Sequence, residues 1–213
     1  MALLDLIIAK VKDDSGRLTV ADDYQPALAA ALETYGSHRP LELVRDLTGS
    51  GGHDLSLPEE WLPEVSRPLR VEYPIELVPA SILAGASWTI YQGPAGEVLR
   101  LLDHTPSAEE SVRLAFTVPR TEATVKAGDL DAVASLAASG CCEVLANLFT
   151  QTSDPTIAAD VVNYRTKSGE FTRRAGRLAD IYHQRLGVDP KGTAPAAMVT
   201  AEAPASRRGR LTH

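Results

Sequence analysis

A chain of 213 residues and 22.8 kDa has room for one domain with an insertion or for two small ones, and 44% hydrophobic residues are enough to fill an ordinary core. Aromatic residues make up only 5%, which favours close helix packing through small side chains over an aromatic-lined ligand pocket. A net charge of -7 and a pI near 5.2 exclude a general nucleic-acid binder with a basic footprint. The charge is uneven. From Asp129 onward there are 10 Lys+Arg and 9 Asp+Glu (+1), leaving 11 and 19 (-8) before it. Two such halves can form complementary faces between copies of one protein, or be two solvated surfaces of different composition.

Leu3, Leu6, Ile7, Lys10 and Val11 fall at helical spacing and predict a short amphipathic helix over 2–13, ended by Asp13-Asp14-Ser15-Gly16. A second helix starts near Asp22 or Asp23, runs through Leu28, Ala31, Leu32 and Tyr35, and stops at Gly36. Pro40 opens a third helical segment carrying Leu41, Val44 and Leu47, followed by Gly49-Ser50-Gly51-Gly52 as a flexible linker. Residues 1–68 thus read as the helical front part of a bundle.

Pro58, Pro63, Pro68 and Pro74 then exclude long helices. Val71, Tyr73, Ile75 and Leu77 alternate with Glu72, Pro74 and Glu76 at strand period, with an edge-type proline. Segments 87–91 and 98–102 flank a Gly/Pro loop and predict a hairpin, and 111–118 supplies a further strand closed by Pro119. Residues 69–128 form a small inserted antiparallel β unit.

Asp129 restarts helix as an N-cap, with Leu130, Ala134, Ala137, Cys141, Val144 or Leu145, and Leu148 at steps of three and four. Asp154 can cap the next helix with Pro155 at its first position, and Ile157, Val161, Tyr164, Ser168, Phe171, Ala175, Leu178 and Tyr182 make its apolar stripe. His183 and Arg185 lie in the last turn, and Gly187 is the C-cap. Residues 129–187 are therefore an antiparallel helical hairpin completing the bundle, and the fold class is α+β, mainly α. Residues 188–213 read as a flexible basic arm.

Little here points to chemistry. Gly49-Ser50-Gly51-Gly52-His53 lacks the lysine and hydroxyl of a phosphate loop. His38, His53, His104, His183 and His213 have no metal-ligand spacing, and no nucleophile-elbow sequence marks a triad, so no enzyme, cofactor or metal is expected. Adjacent Cys141 and Cys142 project differently from a helix and read as small apolar residues of a reducing compartment. No secretory signal is seen and no apolar run approaches the roughly 20 residues of a bilayer span, so no membrane partner is expected. What stands out is a basic face off the apolar stripe, Arg165, Lys167, Arg173, Arg174, Arg177 and Arg185. It is either a solvated face with intrahelical partners (Glu170–Arg174, Arg173 or Arg177 near Asp180) or a face for an acidic partner. Arg207, Arg208 and Arg210 are a docking arm or a disordered solubiliser.

The run Ser153-Asp154-Pro155-Thr156-Ile157-Ala158-Ala159-Asp160-Val161-Val162-Asn163-Tyr164-Arg165-Thr166-Lys167-Ser168, continuing into the Arg-studded helix, resembles the C-terminal helix–turn–helix of head–tail connector (adaptor, neck) proteins of tailed double-stranded DNA bacteriophages. The resemblance covers 129–187 best, with weaker support from 70–74 and 112–119. It implies a structural protein of the virion neck, made in the host cytoplasm and assembled as a ring of twelve copies. Such a ring would bind the portal protein, extend the DNA channel, meet a downstream neck or tail protein, and could touch channel DNA non-specifically. The alternatives are a tail-completion or terminator ring docking from the tail side, and a small cytoplasmic ligand-binding protein using the β unit.

Overall fold

The computed structural model describes residues 3–151 and 158–189. Along the chain these form α1 (Leu3–Val11), α2 (Gln25–His38), β1 (Leu41–Thr48), β2 (Asp54–Ser56), β3 (Pro68–Glu72), β4 (Trp88–Gly93), β5 (Gly96–Leu101), β6 (Ser111–Val118), α3 (Leu130–Gln151) and α4 (Ala158–Leu186). The fold is α+β and mainly helical, with two hydrophobic cores, one among the helices and one among the strands.

In the helical core α1 buries Leu3, Ile7 and Val11, and α2 buries Leu28, Ala31 and Tyr35, each set one helical stripe. The second helix is preceded by a π-type turn at Val20–Tyr24, capped by Thr19, whose hydroxyl accepts the Asp22 N–H at 3.1 Å. It runs on past Gly36 to His38. A glycine inside a helix costs only about 1 kcal/mol, and the burial of Tyr35 beside it outweighs that.

α3 is the centre of this core. Ala134, Ala137, Ala138, Cys141, Cys142, Leu145 and Phe149 are all buried, covered by α1, α2 and α4. The same apolar content makes the stretch Ala127–Gln151 long and apolar enough to cross a bilayer, correcting the reading that no run approaches that length. Its small side chains are instead taken up by three neighbouring helices. α4 packs antiparallel on it. The Ser139 hydroxyl donates to the Ala175 carbonyl at 2.9 Å, and the Ser168 hydroxyl to that of Ala146 at 3.0 Å, so partners run in opposite directions along the two helices. Phe149 and Phe171 stack at 5.5 Å and 6°. Gly187 ends α4 at φ 67°, with its N–H on the Gln184 carbonyl and that of Val188 on His183, a Schellman arrangement. The predicted cap at Asp154 and Pro155 lies outside the described residues.

The strands form two antiparallel sheets, β1-β6-β3 and β2-β5-β4. They enclose Leu47, Leu55, Trp61, Val71, Leu99, Leu101, Val112, Leu114 and Phe116. The third helix predicted after Pro40 is β1, which pairs with β6 over its whole length, from Leu41↔Val118 to Thr48↔Ser111. The i, i+3 spacing of Leu41, Val44 and Leu47 misleads because Val44 faces outward, whereas Leu43 and Leu47 share the buried face at strand period. The glycine run is not a loose linker. The Gly49 and Gly51 N–H groups bond the Glu110 and Pro106 carbonyls, and a Cβ on Gly49 would meet the Ser107 carbonyl oxygen. Only glycine allows that approach.

β3 stops at Glu72. The predicted strand positions Tyr73, Ile75 and Leu77 instead enter a loop that returns on itself: the Tyr73 N–H bonds the Ser81 carbonyl and the Leu83 N–H that of Val71. Pro74 and Pro79 cannot donate, which ends the ladder.

The two bodies are joined by two crossings of the chain, at Arg39-Pro40 and Pro119-Arg120, and a polar junction holds them. The Arg120 guanidinium donates to the carbonyls of Arg39 (2.8 Å), Pro40 (3.0 Å) and Thr124 (2.6 Å). Asp129, predicted as a helix cap, accepts Tyr35 Oη–H at 2.8 Å and Arg39 Nη1–H at 2.9 Å. Burial and the Asp129 carboxylate together push the Tyr35 phenol above its ordinary value.

Candidate docking surface

The basic face predicted on α4 divides into cations held by the fold and cations left exposed. Arg174 is half-buried, and its Nη1–H donates to the carbonyl of Val11, the last residue of α1, at 2.8 Å. It therefore caps a neighbouring helix end, where orphan carbonyls favour a cation. Arg185 pairs with Asp131 at 3.1 Å, and Lys10 reaches the other oxygen of that carboxylate at 2.7 Å, so α1, α3 and α4 are tied by one acid. Lys167 is exposed with its ammonium 5.5 Å from the Phe149 ring. These three serve the fold.

Arg173 and Arg177 do not. Both are exposed, and among the described residues neither forms an ion pair; Arg173 only returns its Nε–H to the Gly169 carbonyl of its own helix. The intrahelical pairs predicted for this face, Glu170–Arg174 and Arg173 or Arg177 with Asp180, are not formed, because Arg174 is drawn to Val11 and the other two point outward. Arg165 lies in α4, but its side chain, like Arg207, Arg208 and Arg210, lies outside the described residues.

Arg173, Arg174 and Arg177 line a groove of about 530 Å³ between α1 and α4, with Phe171, Leu178 and Ile181 as its apolar part and Lys10 and Glu170 at its margin. Lys10 was missed as a member of this surface. The available signal was a lone cation on the short α1 helix, and which neighbour it would face could not be read along the chain.

The β body is the electrical opposite. Residues 41–118 carry 5 Lys+Arg against 12 Asp+Glu, a charge of -7, leaving 16 of each sign elsewhere. The chain's whole net charge therefore sits there. Three of its five cations are consumed internally: Arg45 on Glu60, Arg100 on Asp54 and Arg113 on Asp46. Hydrogen bonds from these guanidinium groups hold all three carboxyls below their ordinary values, so the acids stay charged. The front-to-back division in the sequence becomes a division between bodies.

Three of the histidines have local partners, whereas the buried His183 Nδ1 has no hydrogen-bond partner among the described residues. His38 Nδ1 is 2.7 Å from the Tyr182 hydroxyl, His53 Nδ1 is 2.8 Å from the Leu101 carbonyl, and His104 lies against the Tyr73 ring. Among the described residues no three His, Cys, Asp or Glu side chains converge as metal ligands would.

No family model matches the chain, and no curated protein matches it. Among solved structures it is similar to a chain from the neck of a native gene transfer agent (GTA) particle computed with C12 symmetry, at 15% identity and a TM-score of 0.28, over 78% of this chain and 87% of that one. It is also similar to a chain from the virion of a native gene transfer agent particle, at 14% identity and a TM-score of 0.28, over 80% and 88%.

Proposed function

We propose that this chain is a structural head–tail connector: a virion protein without chemistry of its own that assembles as a ring, twelve copies by the sequence resemblance, binds a portal and extends the DNA channel towards the tail. One observation carries the reading beyond the resemblance. A single chain presents two unlike surfaces, a basic groove with an apolar part on α1 and α4 and an acidic β body. Unlike surfaces on one chain make head-to-tail contacts, which close into rings when the rotation permits. Arg173 and Arg177 are the cations of the described α4 face that the fold leaves without an ion pair, and they serve an acidic neighbour, either another copy or the portal. Arg207, Arg208 and Arg210 act as a docking arm. Deleting residues 190–213 should leave the melting transition unchanged and weaken assembly, and full assembly by the truncated chain would remove the arm from the proposal.

Co-purification on immobilised portal and, separately, on tail-tube protein tests the connector role. Retention on portal is expected. Retention on tail tube alone would move the protein to the tail side of the neck, and retention on neither would defeat the proposal.

A further inference from the structure

The loop between β3 and β4 is built to protrude. Its base is pinned by the Tyr73 N–H on the Ser81 carbonyl, the Ser81 hydroxyl on the Tyr73 carbonyl, and the Leu83 N–H on the Val71 carbonyl. Its tip is apolar and outside every core: Leu77 is 51% exposed and Val78 is 99% exposed. Glu76 stands beside them, exposed and without an ion pair among the described residues. An apolar side chain held almost entirely in water on a pinned turn has no role in the fold of its own chain. Because the base is fixed, little ordering entropy would be lost when the tip docks.

The groove between α1 and α4 has the complementary character. Phe171, Leu178 and Ile181 supply its apolar part, and Arg173 and Arg177 are exposed cations of its lining without an ion pair, in a lining that holds four cations and one acid, Glu170. The loop belongs to the strand core and the groove to the helical core. We propose that the Glu76-Leu77-Val78-Pro79 tip of one copy docks into the α1/α4 groove of a second copy of this chain, with Leu77 and Val78 on the apolar part and Glu76 against Arg173 and Arg177. This rests on the ring reading and names the contact that would propagate it. Tip and groove are different surfaces, so each copy gives one and receives one, as a closed ring requires.

The test uses the full chain with cysteines placed at Val78→Cys and Arg177→Cys together and singly. Cys141 and Cys142 are buried and give no background. Under mild oxidation the double variant should yield a ladder of disulfide-linked oligomers, while each single variant yields at most dimers. By light scattering, Val78→Asp and Arg177→Glu should each weaken self-association about tenfold or more, and Glu76→Arg combined with Arg177→Glu should recover most of the loss. All these positions are exposed, so the melting transition should not move. Rings that form without the ladder, and that tolerate Val78→Asp, would overturn this contact and leave the connector reading standing. A chain that stays monomeric at every concentration would overturn the contact together with self-driven ring assembly.

Discussion

Burial decides how individual residues behave. The Cys141 thiol is pushed up to about 12 and that of Cys142 to about 11, chiefly by desolvation of the thiolate. Because the folded values lie above the ordinary 9.0, their contribution to stability is intact below pH 9 and is lost as pH rises towards the folded values. The denaturation midpoint should therefore fall between pH 9 and 11, and less steeply in Cys141→Ala. Alkylation at pH 8 should label neither thiol until the chain unfolds. Arg120 makes a second residue-scale case, since its guanidinium serves three carbonyls at the junction. Arg120→Ala should cost about 1.5–3 kcal/mol in chemical denaturation and open the crossings at 39–40 and 119–121 to proteolysis. Arg120→Lys should not restore protection, because a compact ammonium cannot span the fork. Arg120 was not legible as a clamp. Its three acceptors are separated by 4, 80 and 81 residues, and nothing local marks them.

At the scale of elements, the helical hairpin was the most legible part. The stripe positions Ala175, Leu178 and Tyr182 are buried as their spacing requires, and Gly187 caps where predicted. Burying a Leu- or Tyr-sized side chain is worth about 1.5–3 kcal/mol, so this seam anchors the helical core. Leu178→Asp should destabilise by more than about 3 kcal/mol, since an unpaired charge cannot stay in that seam. Phe171 is only half-buried and stacks on Phe149, so Phe171→Asp should cost less, about 1–2 kcal/mol. Equal losses by thermal denaturation would mean that the seam reaches further towards the hairpin turn than the burial pattern indicates. β1 was misread for a definite reason. Three apolar residues at i, i+3 and i+6 satisfy a helix, and what makes 41–48 a strand is pairing with residues 111–118, about seventy positions away. The 73–83 loop shows the same limit: alternation alone cannot reveal that proline has ended a ladder.

Across the whole molecule, the division of charge matters more than its total. The acidic β body and the neutral helical body were visible in the sequence as an acidic front and a slightly basic back, but the body boundary was not, because residues 41–56 fold with the later strands. If the two surfaces meet between copies, self-association should weaken several-fold from 0.1 M to 1 M salt, as the screening length falls from about 10 Å to about 3 Å. It should not vanish, because part of the contact is apolar. The decisive quantity is the mass of the assembly the full chain makes on purified portal, measured by native mass spectrometry or mass photometry. Added mass equal to a closed set of copies, twelve by the resemblance, is the expected result. Portal that gains no mass across the whole concentration range would contradict it.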